Sequence, residues 1–527
     1  MLKLNPDQPT LYKVRLFTST SFTISIRYIG SLLLLWGCVA AHGTPILFPE
    51  LSLERAVCQT LGVSRDNLSK KLLQDELTSL DARSLEIRDL TGLEFATNLE
   101  TLVLRDNLIE DLSPISNLAH LKKLDLSGNR IQNLIQLVPL SGSKMRKQVG
   151  DLQLSLQDRK TNRSQKAEII EEMSTLVERL KLGPWALREL NLANNRLLGL
   201  SGIEFLTDLT FLNVSKNALI DLEGLNRLKS LTTLYAQQNQ LGRIESYVDE
   251  NKNKTYDEGE PVDDQSGNGK RDTDPLIEIQ SLPRLANLYL YNNLLESIDS
   301  IQDVPSLVTL FLSGNKIREV TSLAKCNNLI RLSVSDNRIS SLAGLGDLKR
   351  LEYLYLVENR ISDLRPLRGM IRLKELHLQR NQLFDVKPVE TLVNLEVLSL
   401  SYNMIYNLEF AEALKKVRRL SLSYNSISFE DTLEPRSLQV IKSRGGQVSI
   451  SGQRSRIPEV ESLLGFLSGY PSASQQLGDY LLSNGYNSFM DYIEDSSISD
   501  QEKAVSFKTW EQTLKKGRSL NELAFAE

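Results

Sequence analysis

The feature that most constrains this 527-residue chain is a motif that recurs from Asn337 to Asn359 to Asn381, a period of about 22 residues. In LEYLYLVENRISDLRPLRGM, apolar side chains stand at Leu351, Leu354, Leu356, Ile361, Leu364, Leu367 and Met370, and a single Asn359 interrupts the leucine spacing. Moved by one period in either direction the pattern returns, as Leu329, Leu332, Val334, Asn337 and Ile339 before it and Leu373, Leu376, Leu378, Asn381 and Leu383 after it. Leu354 and Leu356 are two apart, so in an extended strand both point into a core while Tyr353, Tyr355 and Val357 point the other way. One such unit cannot bury its apolar side alone, and stacking on its neighbours is what closes the core. The asparagine column runs through 107, 129, 195, 217, 239, 293, 315, 337, 359, 381, 403 and 425. Nine of its steps equal one period, and two are longer, 66 from Asn129 to Asn195 and 54 from Asn239 to Asn293.

The motif is the leucine-rich-repeat signature L-x-x-L-x-L-x-x-N-x-L, and the chain resembles the bacterial internalin-like class that shares this period. The resemblance implies an α/β solenoid of about 12 regular coils, with a curved parallel sheet on its concave face and helical ends. It also implies that each asparagine turns inward to bond backbone groups of adjacent coils, which is how a buried amide is tolerated. Repeats are expected over 85–137, 187–241 and 282–430, with a helical cap and entry coil at 44–84 and a terminal coil at 431–456. In the cap, Leu53, Ala56, Val57 and Leu61 follow helical spacing, and in the entry coil Leu85 stands where the asparagine would fall. Residues 457–527 read as helices that close the far end.

Residues 1–43 read as an export signal. Lys3, Lys13, Arg15 and Arg27 precede the uncharged run Tyr28 to Ala41, which is short for a membrane span, and small residues offer cleavage after Ala41 or Gly43. Leu35-Trp36-Gly37-Cys38 is similar to a lipobox, with Trp36 departing from it, so a lipid on Cys38 is the alternative to simple cleavage. Three cysteines are too few for a disulfide framework; Cys326 falls in an apolar slot of the repeat and Cys58 in an apolar helical stretch, and both read as core. A net charge of −4 without a concentrated basic face argues against nucleic acid.

The insertion at 138–186 is charged and helix-prone, with Ile169, Ile170, Met173, Leu176, Val177 and Leu180 on one stripe. The insertion at 242–281 carries oxygen side chains at Asp249, Asn251, Asn253, Asp257 and Glu260, the 1, 3, 5, 9 and 12 spacing of an EF-hand loop, with the Thr255 carbonyl at position 7. A second run, Asp264, Ser266, Asn268 and Asp272, repeats part of it. Lys254 replaces the turn glycine of the first run and Pro275 the bidentate acid of the second, so one calcium site is expected, at the first run.

Fixed outward positions let the concave surface be written down. Its middle column is Val103, Asp125, Asn191, Asn213, Tyr235, Tyr289, Phe311, Ser333, Tyr355, His377, Ser399, Ser421, with Phe211 and Tyr353 in the column before and Tyr291 in the column after. The aromatics span roughly 25 Å at the usual strand spacing, the scale of a protein or glycan ligand. Arg331, Glu375, His377 and Arg380 would form a polar rim. The calcium-like insertion lies between two of these coils, which suggests a site shared with the aromatics. Only three histidines occur, His42, His120 and His377, and no catalytic triad, phosphate loop or zinc spacing appears. The expected function is therefore calcium-assisted recognition outside the cytoplasm, without catalysis. Two rivals stand beside it, an intracellular phosphatase-regulating type of repeat scaffold, against which the export signal argues, and an enzyme within the C-terminal tail.

Overall fold

In the computed structural model, residues 48–137, 186–243, 274–427, 435–453, 458–486 and 489–520 are described, with isolated positions at 12–13, 23–24, 46, 152, 155 and 169. A single parallel sheet of 14 strands runs in strict sequence order from Ser79–Asp81 to Gln447–Ser449. Its strands are three residues long, as at Tyr353–Tyr355, because the central leucine faces the core and its two neighbours face out. After each strand the chain turns and returns through short 3-10 segments such as Ser113–Ile115 and Arg365–Leu367. So short a coil leaves little length for an α-helix there, and the tighter helix fits. Each apolar position of the coil from Leu351 to Met370 is at most 1% exposed.

All twelve asparagines form the expected ladder. Asn359 Oδ1 accepts the Ile339 N–H at 3.0 Å, and its Nδ2 donates to the Val334 and Leu356 carbonyls at 2.9 and 3.3 Å. Every amide thus ties its own coil to the preceding one. Asn107 does this for the irregular first coil, accepting from Leu85 and Ile87, and Gln453 ends the column by accepting from Ile427 and donating to the Leu422 and Ile450 carbonyls. Directly before the amide the backbone turns left-handed, with φ of 54° at Glu358, 58° at Tyr402 and 59° at Tyr424. Non-glycine residues rarely sit there, and the ladder on one side and the strand on the other hold them.

The cap is a helix at Leu51–Leu61 and a second at Lys70–Glu76. Leu53, Ala56 and Val57 are buried and Leu61 is half-buried. Phe48 lies against Gly92, where a Cβ would come within 2.5 Å of the ring. Cys326 is fully buried, and burial pushes its thiol up to about 11. Cys58 is only half-buried against the array core, a partial correction of its assignment to the interior.

The sequence expectation for the tail needs a larger correction. Its helices, Pro458–Gly469, Pro471–Ser483, Phe489–Glu494 and Asp500–Lys515, build their own core around Tyr480, Tyr492, Phe507 and Trp510. Met404 of the array is part of that core, and Phe384 packs against it. Asp479 pairs with Arg318 at 2.7 Å and with Arg360 at 3.2 Å, and Arg360 also donates to the Gln475 carbonyl at 3.3 Å. These partners follow the strand and ladder in successive coils, so the tail lies along the flank of the array from Arg318 to Met404. The last strand is instead backed by the helix Arg436–Ser443, whose Leu438 and Ile441 join the array core.

The first insertion leaves at the end of a 3-10 segment, whereas the second leaves after Arg243, four residues past the ladder Asn239, and rejoins the coil just before a 3-10 segment. Residue 137 ends the segment Ile135–Leu137, and residue 274 leads into Ile277–Ser281. Across both interruptions the strands pair directly, Lys123 with Glu189 and Thr233 with Asn287. The shared site expected from the sequence involves residues 244–273, which lie outside the described residues.

Candidate recognition surface

The strand register brings the predicted concave residues into one band. Tyr235, Tyr289 and Phe311 are direct partners on neighbouring strands, as are Arg331, Tyr353 and Glu375, and Tyr355 and His377. Phe211 meets Tyr235 with ring centroids 5.6 Å apart, Tyr235 stacks on Tyr289 at 4.2 Å with planes 5° apart, and Tyr289 meets Phe311 edge-on at 5.2 Å. Tyr355 stacks on His377 at 4.8 Å. These distances are close to the strand spacing of about 4.8 Å, so the stacked rings pile along the array axis and turn edges and hydroxyls toward the hollow. Tyr291 is half-buried in the next column.

Polar groups border the rings. The Tyr355 hydroxyl donates to Glu375 Oε2 at 3.2 Å, and burial, reinforced by that carboxylate, pushes the phenol above its ordinary range. His377 Nε2 lies 3.6 Å from Glu375 and has no hydrogen-bond partner. Burial lowers its pKa against the opposing pull of Glu375, which leaves the imidazole neutral at pH 7. Arg331 is exposed and places its guanidinium over the Tyr353 ring at 4.9 Å.

One feature escapes sequence reasoning. Arg380 lies over Tyr402 at 4.6 Å, and Tyr402 stacks on Tyr424 at 4.4 Å. All three occupy the left-handed position before the ladder asparagine, outside the strand columns from which a surface would be read. Gly452 takes the same slot in the last coil, where a Cβ would lie 2.7 Å from the Tyr424 ring. The available signal is the offset itself, one residue before each asparagine. His120 is exposed, away from these rings. The calcium candidates Asp249, Asn251, Asn253, Thr255, Asp257, Glu260, Asp264, Ser266, Asn268 and Asp272 lie outside the described residues, as do the export signal with Cys38 and nearly all of the first insertion.

A family model for two copies of a leucine-rich repeat matches residues 97–139, 283–325, 327–369 and 349–392. Together with the sheet and ladder, this makes the chain a leucine-rich-repeat protein with internalin-like structural neighbours. Among solved structures, an internalin of Listeria monocytogenes is 20% identical, covers 83% of this chain and 96% of its own, and has a TM-score of 0.53. A leucine-rich-repeat protein of Leptospira interrogans is 22% identical over 74% of this chain and 94% of its own, with a TM-score of 0.47. At these identities the likeness is one of fold. No curated protein sequence matches the chain.

Proposed function

We propose that this chain is an exported recognition protein that binds a protein partner on its concave face, without catalysis of its own. The observation that carries the reading is the band from Phe211 to His377, where aromatic side chains and hydroxyls concentrate on a rigid sheet. Such surfaces supply contact area at little entropic cost, and aromatic anchors dominate interface energetics. A glycan is the weaker candidate, because sugars pack on free ring faces and the faces of Tyr235 and Tyr289 are pressed on one another. Export rests on the basic, then apolar, then small-residue order of 1–43, with lipid attachment at Cys38 as its variant. Calcium rests on the oxygen spacing of Asp249 to Glu260, and its role would be to order that insertion.

The test is photo-cross-linking from positions 289 and 355 against position 120, in the native secretory setting. Capture of one protein from the first two and not from the third is expected; equal capture from all three would overturn the concave reading. Calorimetry tests the metal: calcium uptake is expected, lost in Asp249→Ala and Glu260→Ala, and uptake unchanged by both substitutions would remove calcium from the proposal.

A further inference from the structure

Up to Val357, short of Glu375 and His377, the aromatic band carries one charge. Across the three outward columns from Phe211 to Val357 the side chains are aromatic, hydroxyl, amide or aliphatic, and Arg331 is the exception. Several charges along the sheet are matched: Lys123 pairs with Glu189 at 2.8 Å, Lys374 with Glu352 at 2.7 Å and Arg380 with Glu358 at 3.3 Å, while Arg419, near the far end, has no carboxylate partner among the described residues and no aromatic strand beside it. Arg331 finds no carboxylate among the described residues. Its guanidinium is held over Tyr353, which orients the fork and leaves its N–H edge open to the hollow.

Beside it the sheet has a notch. Phe311, Ser333 and Tyr355 are consecutive register partners, so two ring-bearing strands stand about 9.6 Å apart with only a serine between them. The floor is fixed, since Ser333 Oγ bonds Ser313 Oγ at 2.7 Å. Arg331 and Ser333 are two apart on one strand and share its outer face.

We infer that the notch and Arg331 together form the anchor for an acidic side chain of the protein partner. Its carboxylate takes the guanidinium edge, and its methylenes lie between Phe311 and Tyr355 above Ser333. One cation with no second beside it matches a single carboxylate; phosphate recognition uses arginine clusters. A charge pair enclosed by apolar contacts is the setting in which such pairs contribute most to binding.

The inference rests on the concave reading, and the test separates the two. The full chain is used to select short random peptides displayed on phage, and binders are then measured against variants. Enrichment of an acidic residue is expected, with an affinity loss of at least ~10-fold in Arg331→Glu and Arg331→Gln, retention in Arg331→Lys, and selection of a basic residue when Arg331→Glu is itself the bait. Arg331 is exposed, so these variants should unfold at the parent temperature, which excludes misfolding as the cause. Peptides that lose binding in Tyr289→Ala and Tyr355→Ala but bind the Arg331 variants unchanged would overturn the acidic anchor and leave the concave site standing. Peptides indifferent to the tyrosines as well would overturn both.

Discussion

The repeat array and the helical tail solve the same problem in opposite ways. In the array one solution is copied: each coil buries the same leucines and spends one amide on the same two bonds to its neighbour and one within itself. The tail has no copy of itself. Its core is a singular cluster in which Trp510 meets Tyr480, Tyr492 and Phe507 at 5.9, 4.9 and 5.6 Å, and it is fastened to the array by the packing of Met404 and Phe384 and by one aspartate between two arginines. Redundancy makes the array's stability a sum of near-identical interfaces. The tail instead depends on a few contacts that nothing duplicates.

Substitutions can pull the two apart. The largest effect is expected from Asn359→Leu, which leaves the Ile339 N–H buried and unpaired and strips one of two ladder donors from the Val334 and Leu356 carbonyls, Asn337 and Asn381 keeping the other; a loss of about 3 kcal/mol should appear in urea unfolding of the array. Gly478→Val comes next, because a Cβ there would run into the Arg360 guanidinium. A docking cost of about 2 kcal/mol should expose the tail to limited proteolysis while the array unfolds as before. Should both regions weaken together, they are one cooperative unit and the contrast fails.

Asp479→Asn should cost about 1–2 kcal/mol of docking, less than a fully buried pair, since Asp479 keeps 40% of its side chain in water. Burial alone would raise this carboxyl, but hydrogen bonds from Arg318 and Arg360 outweigh it and hold the group below the usual carboxylate range. A depressed folded value gives stability that is present above the unfolded value of about 3.9 and is lost as pH falls through the folded one. The opening free energy of the tail, read from hydrogen exchange after division by the intrinsic rate at each pH, should therefore be flat near neutrality and fall below about pH 4, and the fall should vanish in Asp479→Asn. The smallest change, about 1 kcal/mol in thermal unfolding, is expected from Tyr289→Ala, which removes one stacked pair from a sheet whose ladder is intact.

The same contrast explains what the sequence makes legible. Leu354, Leu356 and Asn359 announce their places because translation by one period repeats the environment as well as the residue type, and the outward columns follow by alternation. The left-handed positions are hidden, since only Gly128 and Gly314 among those preceding a ladder asparagine carry the usual signal and the rest are ordinary residues such as Lys216 and Tyr424. Arg360 is also hidden. Its equivalents Lys316, Arg338 and Gln382 look like solvated surface, and no period relates it to Gln475 or Asp479, more than a hundred positions on. The site was half visible for a similar reason: strand position gives the rings, whereas the notch at Ser333 emerges only when Phe311 and Tyr355 are set two strands apart.

The placement of the insertions outside the strands has a consequence for heredity. Residues gained outside the strands leave Lys123 opposite Glu189 and Thr233 opposite Asn287, so the order of side chains met by a visitor to the hollow is preserved. A single residue gained within a strand would shift the alternation and turn a tyrosine inward. Mutations in length and mutations in identity thus fall on different parts of each coil, and a lineage can experiment with one while conserving the other.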